Sequence, residues 1–206
     1  MKSILLIIIG LSCSLLSAQK RVDKIIDAQN ISTLYIDGAN CFNIQIVAST
    51  SSQIKIQTKM EGEHSEEMLV VTRTQQDSLY IGTRFQPLFE ADNDKLSAHK
   101  VMSIELEIQI PENLNLVVIS DIASVEVEGV FTSAFIELNQ GQCKLLSFLG
   151  SATVNTINGA IYVETNYATV HATSRHGAVA LQNLIPGENQ LHLKSIQGSI
   201  SVIKTE

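Results

Sequence analysis

The chain has 206 residues, 45% of them hydrophobic, with no tryptophan, only three prolines and a formal net charge of −7. That is enough apolar material for one core, which excludes a disordered chain. An acidic balance without a basic cluster excludes nucleic acid or an anionic bilayer as partner, because both demand a cationic surface.

The N-terminus begins Met1-Lys2-Ser3 and continues with a short apolar run from Ile4 to Leu11, then small residues to Ala18. A positive start, a short apolar core and a small-residue end predict a secretory signal peptide over residues 1–18, cut after Ala18. The run is interrupted and too short for a comfortable transmembrane helix. Lipoprotein cleavage before Cys13 is the alternative, opposed by glycine rather than leucine at position 10 and by the second apolar stretch that follows. Either route exports the chain across the inner membrane, to the periplasm, the outer membrane or the cell surface. Cys41 and Cys143 remain, too far apart in sequence to make a disulfide framework, and are expected to be small buried side chains.

Residues 19–30 are charged and lack a clear period, so a linker or a loosely docked arm is expected there. From Ile31 apolar and polar residues alternate, and a single all-β domain is expected over 31–206, with N-terminal strands in 31–120 and repeat coils in 121–206. Leu34 and Ile36 share a face, as do Phe42, Ile44 and Ile46, and Ile54 and Ile56. Asp37-Gly38-Ala39-Asn40 and Ser49-Thr50-Ser51-Ser52 carry turn residues. Residues 60–67 form an acidic connection. Residues 84–100 break the rhythm, and Val101 to Ile110 then alternates most regularly of all, with Met102, Ile104, Leu106, Ile108 and Ile110 on one face.

A glycine followed by apolar residues two and four positions later recurs at Gly141, Gly159, Gly177 and Gly198, with a glycine-free copy at Ala123. The first three steps are 18 residues and the last is 21, lengthened by Asn183 to Asn189. That period predicts a parallel β-helix, or β-solenoid, with 18–21-residue coils. Val125, Cys143, Ile161, Val179 and Ile200 make one inward column, and Val127, Leu145, Val163, Leu181 and Val202 another. Further inward columns are Ile136, Val154, Ala172 and Leu193, and Ala134, Ala152, Val170 and Leu191. Residues between them, such as Glu126, Lys144 and Tyr162, are expected outside, and the glycines at corners needing positive φ.

This order of leader, alternating region, Ile110-Pro111-Glu112-Asn113-Leu114 and glycine-cornered repeats resembles the exported bacterial family described as "putative auto-transporter adhesin, head GIN domain", over roughly Ile31 to the C-terminus. The resemblance implies a right-handed β-helix and an envelope protein of adhesin type. The corners here read Asn139-Gln140-Gly141 or Ile157-Asn158-Gly159 rather than the denser Gly-Ser-Gly of that family, which offers no active-site motif to transfer.

Candidate chemistry is sparse. Carbohydrate-cleaving sites need clustered carboxylates with a basic residue. From Asp121 onward the only aspartate is Asp121 itself and the only arginine is Arg175. Glu126 and Glu128 could share a face, but Lys144 falls beside Glu126. His171 and His192 occupy one outward column with Thr153 and Phe135, yet a metal site needs three or four ligands. Asp92-Asn93-Asp94 opens like a calcium loop but continues without the required glycine. Asn158, Gln140, His176 and Gln197 could form a polar corner ladder. The reading is therefore a non-enzymatic envelope binding module with no catalytic, cofactor or metal residue. It would contact an unidentified surface protein or polysaccharide through the outer face or the 84–100 segment. The alternatives are a carbohydrate-active enzyme on the same scaffold, and a spacer or homo-oligomer assembled through the solenoid ends.

Overall fold

The computed structural model describes residues 19–89 and 102–205. The leader with Cys13, Asp92-Asn93-Asp94 and most of the 84–100 segment lie outside the described residues. The chain forms β1 (Lys20–Asp27), β2 (Thr33–Asp37), β3 (Asn43–Ser49), β4 (Gln53–Gly62), β5 (Met68–Gln75), β6 (Ser78–Phe85), β7 (Met102–Pro111) and β8 (Asn115–Ser120). Next come β9 (Ser124–Leu138), β10 (Cys143–Thr156), β11 (Ile161–Thr165), β12 (Ala168–Ser174), β13 (Val179–Leu181), β14 (Asn189–Ser195) and β15 (Ile200–Lys204). Residues 60–67, expected as an acidic connection, begin inside β4 with Met60 fully buried, and among the described residues a 3-10 turn, Ser65–Glu67, follows.

These strands form one mixed sheet whose main path runs β1-β4-β7-β3-β9-β10-β11-β15-β13. A second wall reads β5-β6-β2-β8-β9-β10-β14-β12. The long strands β9 and β10 belong to both walls. They bend near Gly129 and Gly150, where φ is +108 and +144, and where the β9–β10 register breaks between Leu146 and Ser151. The sheet thereby wraps almost closed, like a barrel, around one aliphatic core.

The expected parallel β-helix of regular successive coils is not what forms. Two findings overturn it. The N-terminal half is largely antiparallel, with β1 against β4, β4 against β7 and β5 against β6. The repeats also leave sequence order: β15 lies between β11 and β13, and β14 between β10 and β12. The repeat cornered at Gly198 therefore occupies the slot expected for the one at Gly177.

Burial accounts for the exchange. Leu191, Leu193, Ile200 and Val202 fill the inner slot and are almost wholly buried. The smaller set left outermost is Val170 and Ala172, half-buried, with Val179 and Leu181 exposed at 41% and 48%. The long connection from Asn183 gives the chain reach to step past its own preceding strands. Putting the bulkier aliphatics inside removes more apolar surface from water, at about 25 cal/mol per Å².

The corner glycines record the same order. A Cβ on Gly159 would lie 1.6 Å from the Gly141 carbonyl oxygen, one on Gly198 1.9 Å from that of Gly159, and one on Gly177 2.2 Å from that of Gly198. Of the four, only Gly141 has a φ in the left-handed region. Close backbone stacking, rather than the expected positive φ, is what excludes a side chain from this column.

Residues 20–27, expected as linker, form β1, which pairs with β4 from Lys20↔Met60 to Asp27↔Gln53. Val22 and Ile26 pack against the core. Lys20 and Lys24 share their face and hydrogen-bond across to β5. Phe42 also departs from expectation. It lies before β3, at the bend, and is 61% exposed while Ile44 and Ile46 are fully buried.

Candidate functional site

The inward columns bury the core, so any contact chemistry must lie on the outer faces. On the second wall the register aligns one outward residue from each of seven strands: Tyr80, Tyr35, Val117, Phe135, Thr153, His192 and His171. Strands in a sheet stand about 4.8 Å apart, so such a row is a ladder of side chains at near-constant spacing. Tyr35 and Tyr80 lie 5.3 Å apart at 35°, and the imidazoles of His171 and His192 stack 5.2 Å apart at 10°. Phe135, between these pairs, is 37% exposed and Tyr80 39%. Five of the seven positions are therefore rings offered to solvent along one line.

Polar groups flank this line. The neighbouring row reads Gly82, Asp37, Ile119, Glu137, Asn155, Lys194 and Thr173. Three depressions open along the face. One of about 390 Å³ lies at Tyr35, Arg73, Tyr80 and Arg84. One of about 230 Å³ sits among Ser133, Phe135, Thr153, Gln190 and His192. The third, about 450 Å³, has Ile157 and Ile196 as apolar floor and Glu137, Asn155, Lys194 and Arg175 around it. Rings and aliphatic floors accept the apolar faces of a ligand, while amide and charged groups can hydrogen-bond its rim. The opposite wall carries a larger groove of about 660 Å³, but among its lining residues Asp23, Lys55 and Glu107 mix charge without a ring.

His171 and His192 do meet, on neighbouring strands, but no third ligand joins them: among the described residues no group of three His, Cys, Asp or Glu could hold a metal. Glu126 is paired with Lys144 at 3.8 Å on the other wall, a surface ion pair as expected, and such pairs contribute little. Asn158, Gln140, His176 and Gln197 are exposed at successive corners, as a ladder. Cys41 and Cys143 are buried free thiols, and burial pushes both up to about 12. At neutral pH they are protonated and inert as nucleophiles.

Sequence reasoning missed one structural device. Three residues before most of the corners stands a hydroxyl that staples the turn. Thr156 Oγ1 donates to the Gly159 carbonyl at 2.6 Å, Ser195 Oγ accepts from Gly198 N–H at 2.8 Å, and Ser174 Oγ accepts from Gly177 N–H at 2.9 Å. Ser120 Oγ serves the glycine-free corner, accepting from Ala123 N–H at 3.1 Å. The signal was in the sequence as a hydroxyl residue three places before the corner residue.

The aromatic row was also missed as a whole, because only its His171, His192, Thr153 and Phe135 portion lies within the repeats. Tyr35 and Tyr80 join it through strand pairings that no local spacing encodes.

No family model matches the chain, and no curated protein is similar to it. Solved structures are. A Clostridium sporogenes protein described as "a putative cell adhesion protein" superimposes with a TM-score of 0.67 at 12% identity, covering 92% of this chain and 100% of its own. A Bacteroides fragilis protein described as "a putative adhesin" gives 0.42 at 12% identity, over 91% of this chain and 99% of its own. A "putative adhesin" from Parabacteroides distasonis gives 0.34 at 8% identity, over 89% and 97%. At such identities the first likeness establishes the fold alone.

Proposed function

We propose that this protein is an exported, non-enzymatic envelope module that binds an extended polysaccharide along the seven-strand row from Tyr80 to His171. The row of rings carries the reading. Sugar rings present flat C–H faces that stack on aromatic side chains, and a ladder at strand spacing offers one platform after another to a linear polymer. Supporting it are the leader-like N-terminus, the absence of a clustered acid–base set among the described residues, and the adhesion-type description of the Clostridium sporogenes protein of similar fold. The reading also keeps the sequence resemblance to the head GIN adhesins, in which an envelope location belongs.

The test is retention on a panel of immobilised envelope and host polysaccharides, with the supernatant assayed for released sugar. Wild type is expected to be retained without release. Phe135→Ala, Tyr35→Ala and His192→Ala should each weaken retention by roughly fivefold, about 1 kcal/mol per ring. Released oligosaccharide would establish the enzyme alternative instead. A triple variant that binds as tightly as wild type would remove this face from consideration.

A further inference from the structure

The two ends of the molecule are finished differently. At one end β1 and β5 are the outermost strands of the two walls. Lys20 Nζ donates to the carbonyls of Glu66 at 2.7 Å and Met68 at 3.0 Å, and Lys24 Nζ to the carbonyl of Val70 at 2.9 Å and to Thr72 Oγ1 at 3.3 Å. Two ammonium groups thus occupy the acceptors of β5 and cover the core between the walls. Inward-pointing lysines of this kind are a recognised means of stopping a sheet edge from recruiting another strand.

At the other end the outermost strands are β12 and β13, and among the described residues β12 pairs only with β14 and β13 only with β15. Neither carries an Asp, Glu, Lys or Arg, a proline or a glycine. The Ala178 carbonyl accepts from Ile200 N–H and Gln182 N–H donates to the Val202 carbonyl. Backbone groups alternate in direction along a strand, so those of Val179 and Leu181 point away from the sheet, toward whatever lies beyond. Between the two edges Val170 and Ala172 are half-buried, and Val179 and Leu181 exposed, although their register partners Leu191, Leu193, Ile200 and Val202 are core. The core is left open at this end.

We propose that the β12–β13 end is the interface of a two-fold dimer of this chain, in which β12 and β13 each pair antiparallel with their counterparts in a second copy and the two open cores join. What the end requires is a surface with two strand edges at the same separation and an uncharged aliphatic patch between them. The same end of a second copy has that shape by identity, as a two-fold contact demands. Charge favours the same occupant: the chain as a whole is acidic, yet this surface brings no carboxylates together when it meets itself. A two-fold contact uses this same end on both copies, and at the other end Lys20 and Lys24 occupy the acceptors of β5, so association closes at two copies and does not run on into a filament.

Sedimentation velocity across a concentration series tests this, paired with hydrogen exchange at high and low concentration. Wild type is expected to sediment as a dimer that dissociates on dilution. Amides of Val179 and Leu181 should be protected only in the dimer. Leu181→Lys places an unpaired ammonium in the joint and is expected to raise the dissociation constant at least about tenfold, while Leu181→Ile keeps the dimer. A wild-type protein that stays monomeric at every concentration overturns the proposal, as does a dimer that persists in folded Leu181→Lys. Should Leu181→Lys fail to fold, the wild-type exchange decides: amides of β13 equally unprotected at both concentrations refute the interface.

Discussion

Val163 and Tyr162 are neighbours in β11, yet they belong to different environments. Val163 is fully buried, with Leu145 and Val202 as its register partners, whereas Tyr162 faces outward beside Lys144 and Ser201. An aspartate at position 163 would put an unpaired carboxylate into a dry aliphatic core, a cost of several kcal/mol against a total stability of about 5–15 kcal/mol. Val163→Asp is therefore expected to abolish folding, and Tyr162→Asp to cost less than about 1 kcal/mol in a urea melt. Equal melting of the two variants would refute the assignment of faces. Facing of this kind was legible in the sequence, because alternation at period two needs no knowledge of partners. It failed at Phe42, where the alternation was extended by one residue across a bend. It succeeded for the corner glycines as positions but not as cause, since the constraint is the carbonyl of the neighbouring corner, an atom that belongs to another strand.

At the level of strands, what the repeat cannot encode is neighbour order. Leu181 and Val202 occupy equivalent places in the repeat, and the period alone puts both inside. The structure buries Val202 between β11 and β13 and leaves Leu181 half outside. Val202→Asp is accordingly expected to cost at least about 3 kcal/mol, and Leu181→Asp less than about 1 kcal/mol, in melts at concentrations low enough to keep the protein monomeric. Comparable losses would restore the sequential order of repeats. β1 was illegible for a related reason. Lys20 and Lys24 alternate with Val22 and Ile26 on one face, and lysine on an inner face reads as solvent exposure until the carbonyls of β5 are known to wait there. The aromatic row divides in the same way: its repeat-borne members were aligned by spacing, but Tyr35 and Tyr80 arrive by long-range parallel pairing.

For the whole molecule, the proposed dimer and the proposed binding face are coupled by geometry. The row ends at His171 on β12, which is the strand placed at the dimer joint. A two-fold axis normal to that wall keeps its outer face outward in both copies, so the row continues from one copy into the other. One row of seven strands spans about 29 Å at a 4.8 Å spacing, and the joined rows about twice that. An oligosaccharide shorter than one row cannot sense the second copy. A long polymer can engage both, and its second engagement is intramolecular, which raises apparent affinity by roughly 10²-fold or more where the geometry allows. Wild type and Leu181→Lys are thus expected to bind short oligosaccharides equally and to diverge as chain length passes one row, wild type gaining about 10²-fold on the long polymer. Calorimetry over a length series of the retained polysaccharide measures this directly. If affinity rises with length identically in both proteins, the faces act singly and the coupling is wrong, even where dimer and binding each hold on their own.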